Sequence, residues 1–196
     1  MKVLKNISIA VGSLLVLFIV VGMLLPSKWE VSRSINIAAN KETIYSAVAN
    51  LHRFIEWSPW TGEEDPSLVY TYEGPEEGVG AKQNWTSEKM GKGWLEISEA
   101  DPEKGIIYKL FIDMGRWQNN LEGQMAFEAL DNETKVTWTD RGENGANIVK
   151  KWMALFMNSM LGKDLEKGLT KLKSLTEKEA QEGHKEEVKE EVAQAE

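Results

Sequence analysis

An unbroken apolar run lies near the start of the chain. From Ile7 to Leu25, 19 consecutive residues carry no charge, and as a helix they extend about 28 Å, close to the thickness of a bilayer's hydrocarbon core. The run lacks the polar stripe of a soluble core helix, and no small-x-small site of a cleaved signal peptide follows it before Pro26. The pattern predicts an uncleaved transmembrane anchor in residues 1–27, with a cleaved signal peptide as the alternative.

Charge alone does not orient this span, because Lys2 and Lys5 precede it while Lys28, Arg33 and Lys41 follow it. A basic tip followed by an apolar run is the layout of a signal-anchor. We therefore expect a single pass through the cell (inner) membrane, with the following domain on the outer (periplasmic) side.

The period of the pattern changes after Pro26. Residues 29–37 alternate strictly, which predicts a strand with Val31, Ile35 and Ile37 on one face and Arg33 on that face near an end. Asn40 can cap the next helix, whose apolar positions recur at helical spacing, and a second short helical stretch covers 51–57.

Short alternating runs separated by Gly, Pro and Asn then predict an antiparallel meander. Six strands are expected near 68–73, 80–87, 93–100, 105–113, 117–129 and 133–141, which makes seven with the first. Parity assigns the inward-facing residues. They are Ala81, Gln83, Trp85, Leu95, Ile97, Leu121, Gly123, Met125, Phe127, Val136 and Trp138.

A helical period returns from about Asn147 to Thr176 with a broad apolar stripe. A helix of nearly thirty residues needs a long apolar partner, and the concave face of the sheet is the only candidate. The expected fold class is α+β: a seven-stranded curved antiparallel sheet, two short helices and one long C-terminal helix, preceded by a single transmembrane helix.

Three stretches carry a resemblance to a known family. They are Val31-Ser-Arg33-Ser-Ile35-Asn-Ile37; Trp57-Ser-Pro59-Trp60 with Asp65-Pro66, Tyr72-Glu-Gly74 and Gly78-Val-Gly80-Ala81; and Met160 to Leu169 with Leu172 and Lys173. Residues 28–176 resemble the helix-grip fold of the START/Bet v 1-like (SRPBCC) superfamily, in its bacterial polyketide cyclase/dehydrase and lipid-transport branch. The resemblance implies a cavity between sheet and long helix that binds lipids, aromatic polyketides or other apolar molecules. It transfers no catalytic motif.

Composition narrows the function classes. The 196 residues carry a formal net charge of -8, which disfavours binding to nucleic acid, and the absence of Cys excludes disulfides and thiol nucleophiles. Residues 177–196 hold five of the net negative charges and are expected to form an acidic, solvated tail, either separate from the long helix or as its fraying extension. No protein partner can be identified from the sequence.

The candidate ligand-binding residues are the large inward side chains of the sheet and the Met and aromatic stripe of the last helix. They are Trp85, Leu95, Ile97, Leu121, Met125, Phe127, Trp138, Trp152, Met153, Phe156 and Met160. Met adapts to irregular partners, and the small inward residues Ala81 and Gly123 are expected to leave volume opposite this stripe. The same residues also suit an ordinary core.

Few polar residues suit catalysis. His52 and His184 have no partner at metal-ligand or general-base spacing, so we expect no metal and no cofactor. The charged candidates at predicted strand ends are Asp113, Arg116, Asp140 and Arg141, although such residues are more often solvated. Trp57 and Trp60 around Pro59 suit a rigid turn packed on the sheet, a cavity rim or a membrane interface.

These observations predict a membrane-anchored domain that binds a lipid or other small apolar molecule. The first alternative is an aromatic cyclase/dehydrase-type enzyme, which requires an interior polar residue. The second is a regulatory module with a filled core, in which the loop from Trp57 to Gly80 contacts a protein partner.

Overall fold

The computed structural model describes residues 2–115 and 117–195. The helices are α1 (Lys2–Leu24), α2 (Lys41–Ala49), α3 (Phe54–Trp57) and α4 (Ile148–Ala195), and a 3-10 turn at Leu51–Arg53 precedes α3. The strands are β1 (Lys28–Ile37), β2 (Val69–Glu73), β3 (Lys82–Ser87), β4 (Gly91–Asp101), β5 (Gly105–Asp113), β6 (Gln118–Ala129) and β7 (Thr134–Glu143). The predicted helix-grip arrangement is confirmed.

All seven strands form one antiparallel sheet in the order β1-β7-β6-β5-β4-β3-β2. A register shift in β4 between Ile97 and Glu99 interrupts its ladder with β5. Such bulges bend a strand and increase its twist. Pairing of β1 with β7 brings the first strand beside the last, so that the sheet presents one face to α4.

The inner face of β1 is held to α4 by packing and by an ion pair. Val31 and Ile37 are fully buried, and Arg33 between them donates from Nε to Oε1 of Glu166 over 2.5 Å. The expectation that Arg33 lies near a strand end is wrong. It lies in the middle of β1, and Gly162 of α4 leaves room for its guanidinium, since a Cβ on Gly162 would lie 2.1 Å from it.

The short helices begin where the sequence predicts. The Oδ1 of Asn40 accepts a hydrogen bond from the Thr43 N–H over 2.8 Å, as an N-cap residue does. Ile44 and Val48 of α2 are buried, and Trp57 at the end of α3 is buried with its indole donating to the carbonyl of Ala47. For Trp57, the structure therefore supports the rigid packed turn over the cavity rim and the membrane interface.

The centre of α4 closes on the sheet through small and apolar residues. Leu165, Leu169 and Leu172 are buried. A Cβ on Gly168 would lie 2.6 Å from Trp138 of β7, so glycine is needed for this close approach. Trp57 meets the Trp138 ring edge-on at 5.4 Å.

The long helix does not stop near Thr176 but runs on to Ala195. Glu177 accepts a hydrogen bond from the Ala38 N–H over 2.8 Å, and Glu179 forms an ion pair with Arg53. The first turn of the acidic segment therefore contacts the domain, whereas residues 181–186 are exposed.

The N-terminal helix α1 is long and apolar enough to cross a membrane, and little of it is buried by the rest of the chain. Its C-terminal part touches the start of α4. Phe18 stacks on Trp152 with ring centroids 5.0 Å apart, and the Trp152 Nε1 donates to the Phe18 carbonyl over 3.2 Å. Gly22 is buried against Ile148 and Trp152.

Candidate functional site

A cavity of about 370 Å³ lies between the inner face of the sheet and α4. Most of its walls are aromatic or aliphatic. The lining residues are Trp29, Phe54, Trp60, Tyr70, Gln83, Trp85, Lys89, Met90, Leu95, Tyr108, Leu110, Ile112, Met114, Leu121, Trp138, Asp140, Met157, Met160, Leu161 and Asp164. Ligand sites are typically concave, apolar and a few hundred Å³ in volume, with a few placed polar groups.

One wall consists of stacked and edge-on aromatic rings. Trp60 meets Trp138 edge-on at 6.1 Å and stacks on Phe54 at 6.4 Å. Pro59, which precedes Trp60, is buried, and the Ser58 hydroxyl accepts a hydrogen bond from the Trp60 N–H over 3.0 Å. The turn after α3 therefore fixes Trp60 as part of the cavity wall.

A hydrogen-bonded polar cluster adjoins these aromatic rings through Trp138. The Tyr108 hydroxyl donates to Oδ1 of Asp140 over 2.5 Å and accepts from Nε1 of Trp138 over 2.7 Å. All three residues are buried. Burial raises the pKa of Asp140 to about 6, although the hydrogen bond from Tyr108 opposes the shift, and burial beside this carboxylate raises the pKa of Tyr108.

Two further polar atoms in the lining have no hydrogen-bond partner among the described residues. They are Oε1 of Gln83, whose side chain is buried, and Nε1 of Trp85 on the same strand. Buried polar atoms are rarely left unpaired in proteins, because each unpaired group costs roughly 1–3 kcal/mol. Both side chains belong to the cavity lining, although the two atoms themselves have almost no exposed surface.

The cavity opens at the end of the sheet where β5 ends and β6 begins. Met114 and Met160 line it there and are 54% and 64% exposed. Together with Met90 and Met157, these make four of the chain's eight methionines. Flexible thioether side chains fit differing apolar surfaces, so this mouth can adapt to its ligand.

Five of the eleven candidate ligand residues line the cavity: Trp85, Leu95, Leu121, Trp138 and Met160. The other six lie elsewhere. Ile97, Met125 and Phe127 are buried core residues, Trp152 packs on α1, and Met153 and Phe156 are exposed on α4. The space opposite Gly123 is not open as expected, because the Tyr108 ring fills it to within 2.0–2.2 Å of where a Cβ would lie.

Of the charged candidates, too, Asp140 lines the cavity and others lie elsewhere. Asp140 is buried in the cavity wall, contrary to the expectation of a solvated strand end. Asp113 accepts from the Gly115 N–H in a hairpin, and the exposed Arg141 donates to Gln124. Arg116 lies outside the described residues.

The two histidines lie away from the cavity. His52 is exposed and stacks on Tyr72 at 3.9 Å, and His184 is exposed on α4. No group of three His, Asp or Glu within the described residues is arranged to hold a metal ion.

Sequence reasoning missed Tyr108, Leu110 and Ile112 in the lining, although parity along β5 places them on the same face. Parity also groups Asp140 with Val136 and Trp138. The signal for the polar cluster was therefore present in the alternation of β5 and β7.

Solved structures share this fold at low sequence identity. The di-domain ARO/CYC StfQ from the steffimycin biosynthetic pathway is 12% identical, with a TM-score of 0.57 over 78% of this chain and 52% of that one. The hypothetical protein jhp0584 from Helicobacter pylori is 10% identical (TM-score 0.56; 75% and 87% covered). Protein MLL2253 from Mesorhizobium loti is 14% identical (TM-score 0.55; 76% and 97% covered).

Among curated protein sequences, none matches this chain. A family model does, over residues 28–177, which span β1 to the middle of α4 and include every residue of the cavity lining. The chain belongs to the polyketide cyclase/dehydrase and lipid transport family.

Proposed function

We propose that this protein binds a lipid or another small apolar molecule in the cavity between the sheet and α4, and that α1 anchors it to a membrane. The observation that carries the proposal is the cavity itself, which is walled mostly by aromatic and aliphatic side chains. A regulatory module with a filled core is disfavoured by this open volume.

The size of the cavity limits the ligand. Liquid water would fill 370 Å³ with about twelve molecules, so the site suits one acyl chain, a ring system or part of a larger lipid. Burying about 300 Å² of hydrocarbon contributes roughly 7 kcal/mol before the costs of association. Binding at micromolar affinity or weaker therefore needs no charged contact.

The proposed anchor places the cavity beside a membrane. Almost all of α1 is left exposed by the rest of the chain, which is unfavourable in water for a largely apolar helix of 23 residues and favourable in lipid. The layout of a signal-anchor supports a single pass through the inner membrane with the domain on the periplasmic side. Protease accessibility in spheroplasts tests the side, since an outward domain is cleaved while the inner membrane is intact.

Ligand binding is tested on the full chain purified in lipid nanodiscs, with native mass spectrometry followed by organic extraction. Organic extraction also releases lipids bound around α1. A matched pair of variants therefore distinguishes molecules bound in the cavity from these lipids. Leu110→Trp fills the cavity and is expected to remove the bound molecule, whereas Leu130→Trp, at an exposed position outside the lining, retains it. The same extract from both variants and the wild type would refute occupancy of the cavity.

The buried pair of Tyr108 and Asp140 specifically favours one second function, a cyclase/dehydrase-type enzyme. A carboxyl with a pKa near 6 exchanges protons near neutral pH, and it borders the space where a substrate would lie. Once the bound molecule is identified, Asp140→Asn and Tyr108→Phe are assayed for turnover and binding. Lost turnover with retained binding would support the enzyme. Turnover equal to that of the wild type in both variants would exclude a catalytic role for this pair.

A further inference from the structure

The first turns of α4 are apolar on two faces. Met157 and Leu161 on the inner face line the cavity. The outer face carries a second stripe at spacings of four, three and four residues: Val149, Met153, Phe156 and Met160, which are 47–64% exposed. Beyond Met160 the same spacing reaches only polar, exposed residues, namely Lys163, Lys167, Thr170 and Ser174. The outer face of the helix therefore changes from apolar to polar after Met160.

The stripe continues onto the hairpin between β5 and β6. Met114 and Trp117 of this hairpin are exposed, and Met114 also lines the cavity. Lys150 joins the two elements by donating to the Gln118 carbonyl over 2.7 Å and to Oδ1 of Asn119 over 2.8 Å. We call this surface the apolar end: Met114, Trp117, Val149, Met153, Phe156 and Met160. Two of its members, Met114 and Met160, line the cavity at its mouth.

The apolar end is continuous with α1. Trp152 of α4 contacts Phe18 by stacking and by a hydrogen bond to its carbonyl. Phe18 lies six residues before the end of α1, which is about 9 Å along the helix axis. Interfacial helices bury their apolar face about 5–10 Å below the headgroups. If α1 spans a bilayer, the start of α4 lies at that depth.

Charge around the apolar end differs from that of the whole chain. The net charge is -8, yet residues 144–163 contain no Asp or Glu and include Lys150, Lys151 and Lys163. In the neighbouring hairpin between β3 and β4, Lys89 and Lys92 are exposed beside Glu88, and Lys92 pairs with Asp113. Basic side chains beside an apolar surface complement anionic lipid headgroups.

We propose that the apolar end docks on a bilayer that carries anionic headgroups, so that the cavity mouth faces the membrane and the ligand enters from lipid. This inference rests on the proposed anchoring by α1 and adds to it the orientation of the domain. Soluble domains rarely expose contiguous apolar patches of this kind unless they bind something. The bilayer that is proposed to surround α1 can also cover the apolar end, so no additional partner is required.

Spin labels on the full chain test the orientation, and the absence of Cys from the sequence makes single labelled cysteines possible. The variants are Phe156→Cys and Trp117→Cys at the apolar end, Val11→Cys in α1 as the lipid reference, and Asn132→Cys in the turn between β6 and β7 as the water reference. All four positions are exposed. Each variant is placed in vesicles of phosphatidylglycerol and phosphatidylethanolamine, and collision rates with oxygen and with a water-soluble nickel complex are measured.

We expect the oxygen-to-nickel ratio at positions 156 and 117 to exceed that at 132 several-fold and to approach that at 11. A lipid-like value at 11 with water-like values at 156 and 117 would overturn the docking and leave the anchor standing. A water-like value at 11 would overturn both. If labels at 156 or 117 broaden one another and the broadening disappears on dilution with unlabelled protein, a second copy covers the surface and the inference is wrong.

Discussion

The two halves of the inner face of α4 meet the same sheet with different packing. Leu165, Leu169 and Leu172 are fully buried, and Gly168 lets Trp138 approach the helix backbone. One to two turns earlier, Met157 and Leu161 are only partly buried and border the cavity. We refer to 165–172 as the packed half and to 157–164 as the cavity half.

The difference arises from what lies between the helix and the sheet. Beside the packed half, Trp57 at the end of α3 fills the space next to Trp138. In the cavity half the inner face of the sheet carries Leu110 and Leu121, and the cavity lies between these side chains and α4. One half of the helix thus packs closely on the sheet, and the other half leaves a cavity.

The largest expected effect separates the two halves with the same substitution. Leu169→Ala leaves a void in close-packed surroundings and is expected to lower the free energy of unfolding by about 2–5 kcal/mol. Leu161→Ala only enlarges an existing cavity, so we expect a loss of about 1 kcal/mol. Urea unfolding of the full chain in detergent micelles, followed by Trp fluorescence, measures both. Equal losses would show that the cavity half is as tightly packed as the other.

The buried carboxyl of Asp140 in the cavity wall predicts a pH dependence of stability. Its pKa is about 6 in the folded state against 3.8 for an unperturbed Asp, so the folded state retains a proton that the unfolded chain loses between these values. Since the folded state binds more protons there, stability falls as the pH rises. Ionisation of Asp140 is expected to lower the free energy of unfolding by about 3 kcal/mol above pH 6, relative to its value below pH 4.

Asp140→Asn isolates that contribution from other groups. Asp65, for example, acts in the opposite direction, because hydrogen bonds from Ser67 and Ser87 lower its pKa and stability is lost as that carboxylate is protonated. The free energy of unfolding of the variant minus that of the wild type should therefore rise from pH 4 to pH 7. A difference that stays flat across this range would mean that Asp140 ionises equally in both states.

A smaller effect is expected from closing the gap that Gly168 leaves for Trp138. In Gly168→Ala the new methyl group would lie 2.6 Å from the indole and 3.1 Å from Pro59, so α4 must move away from the sheet. We expect a loss of about 1–3 kcal/mol. Gly183→Ala on the same helix is the control, since nothing lies within 4 Å of its Cβ and alanine favours helix. Equal stability of the two variants would contradict the close contact.

The sequence predicted the fold well because periodicity reports which face of each element is buried. Alternation of apolar and polar residues predicted every strand, and helical spacing of apolar residues predicted α2 and the start of α4. The end of α4 was misjudged because the apolar stripe stops near Leu175 while Glu177 and Glu179 continue to contact the domain through polar groups. A hydrophobic pattern does not register polar contacts, and the same limit misplaced Arg33.

The candidate site was predicted less completely, because parity cannot separate a cavity wall from a core. Ile97 and Leu95 lie on the same inner face of β4, yet only Leu95 lines the cavity. What separates them is position along the strand relative to α4, which depends on the assembled sheet. Asp140 has the same parity as the inward-facing Val136 and Trp138, but its charge suggested a solvated strand end. Only the contact with Tyr108 reveals how its burial is tolerated.

The smallest expected effect lies at the junction of the two halves, where Arg33 of β1 reaches Glu166 and Oδ1 of Asn158. Glu166 is 59% exposed, so Glu166→Gln is expected to cost only about 0.5 kcal/mol, and less in high salt. Glu182→Gln, in a looser and exposed pair with Lys178, should cost nothing measurable. If Glu166→Gln instead costs more than Leu161→Ala, Arg33 behaves as a buried charge left without its partner. The ion pair, and not the leucines of the packed half alone, would then hold α4 over the cavity.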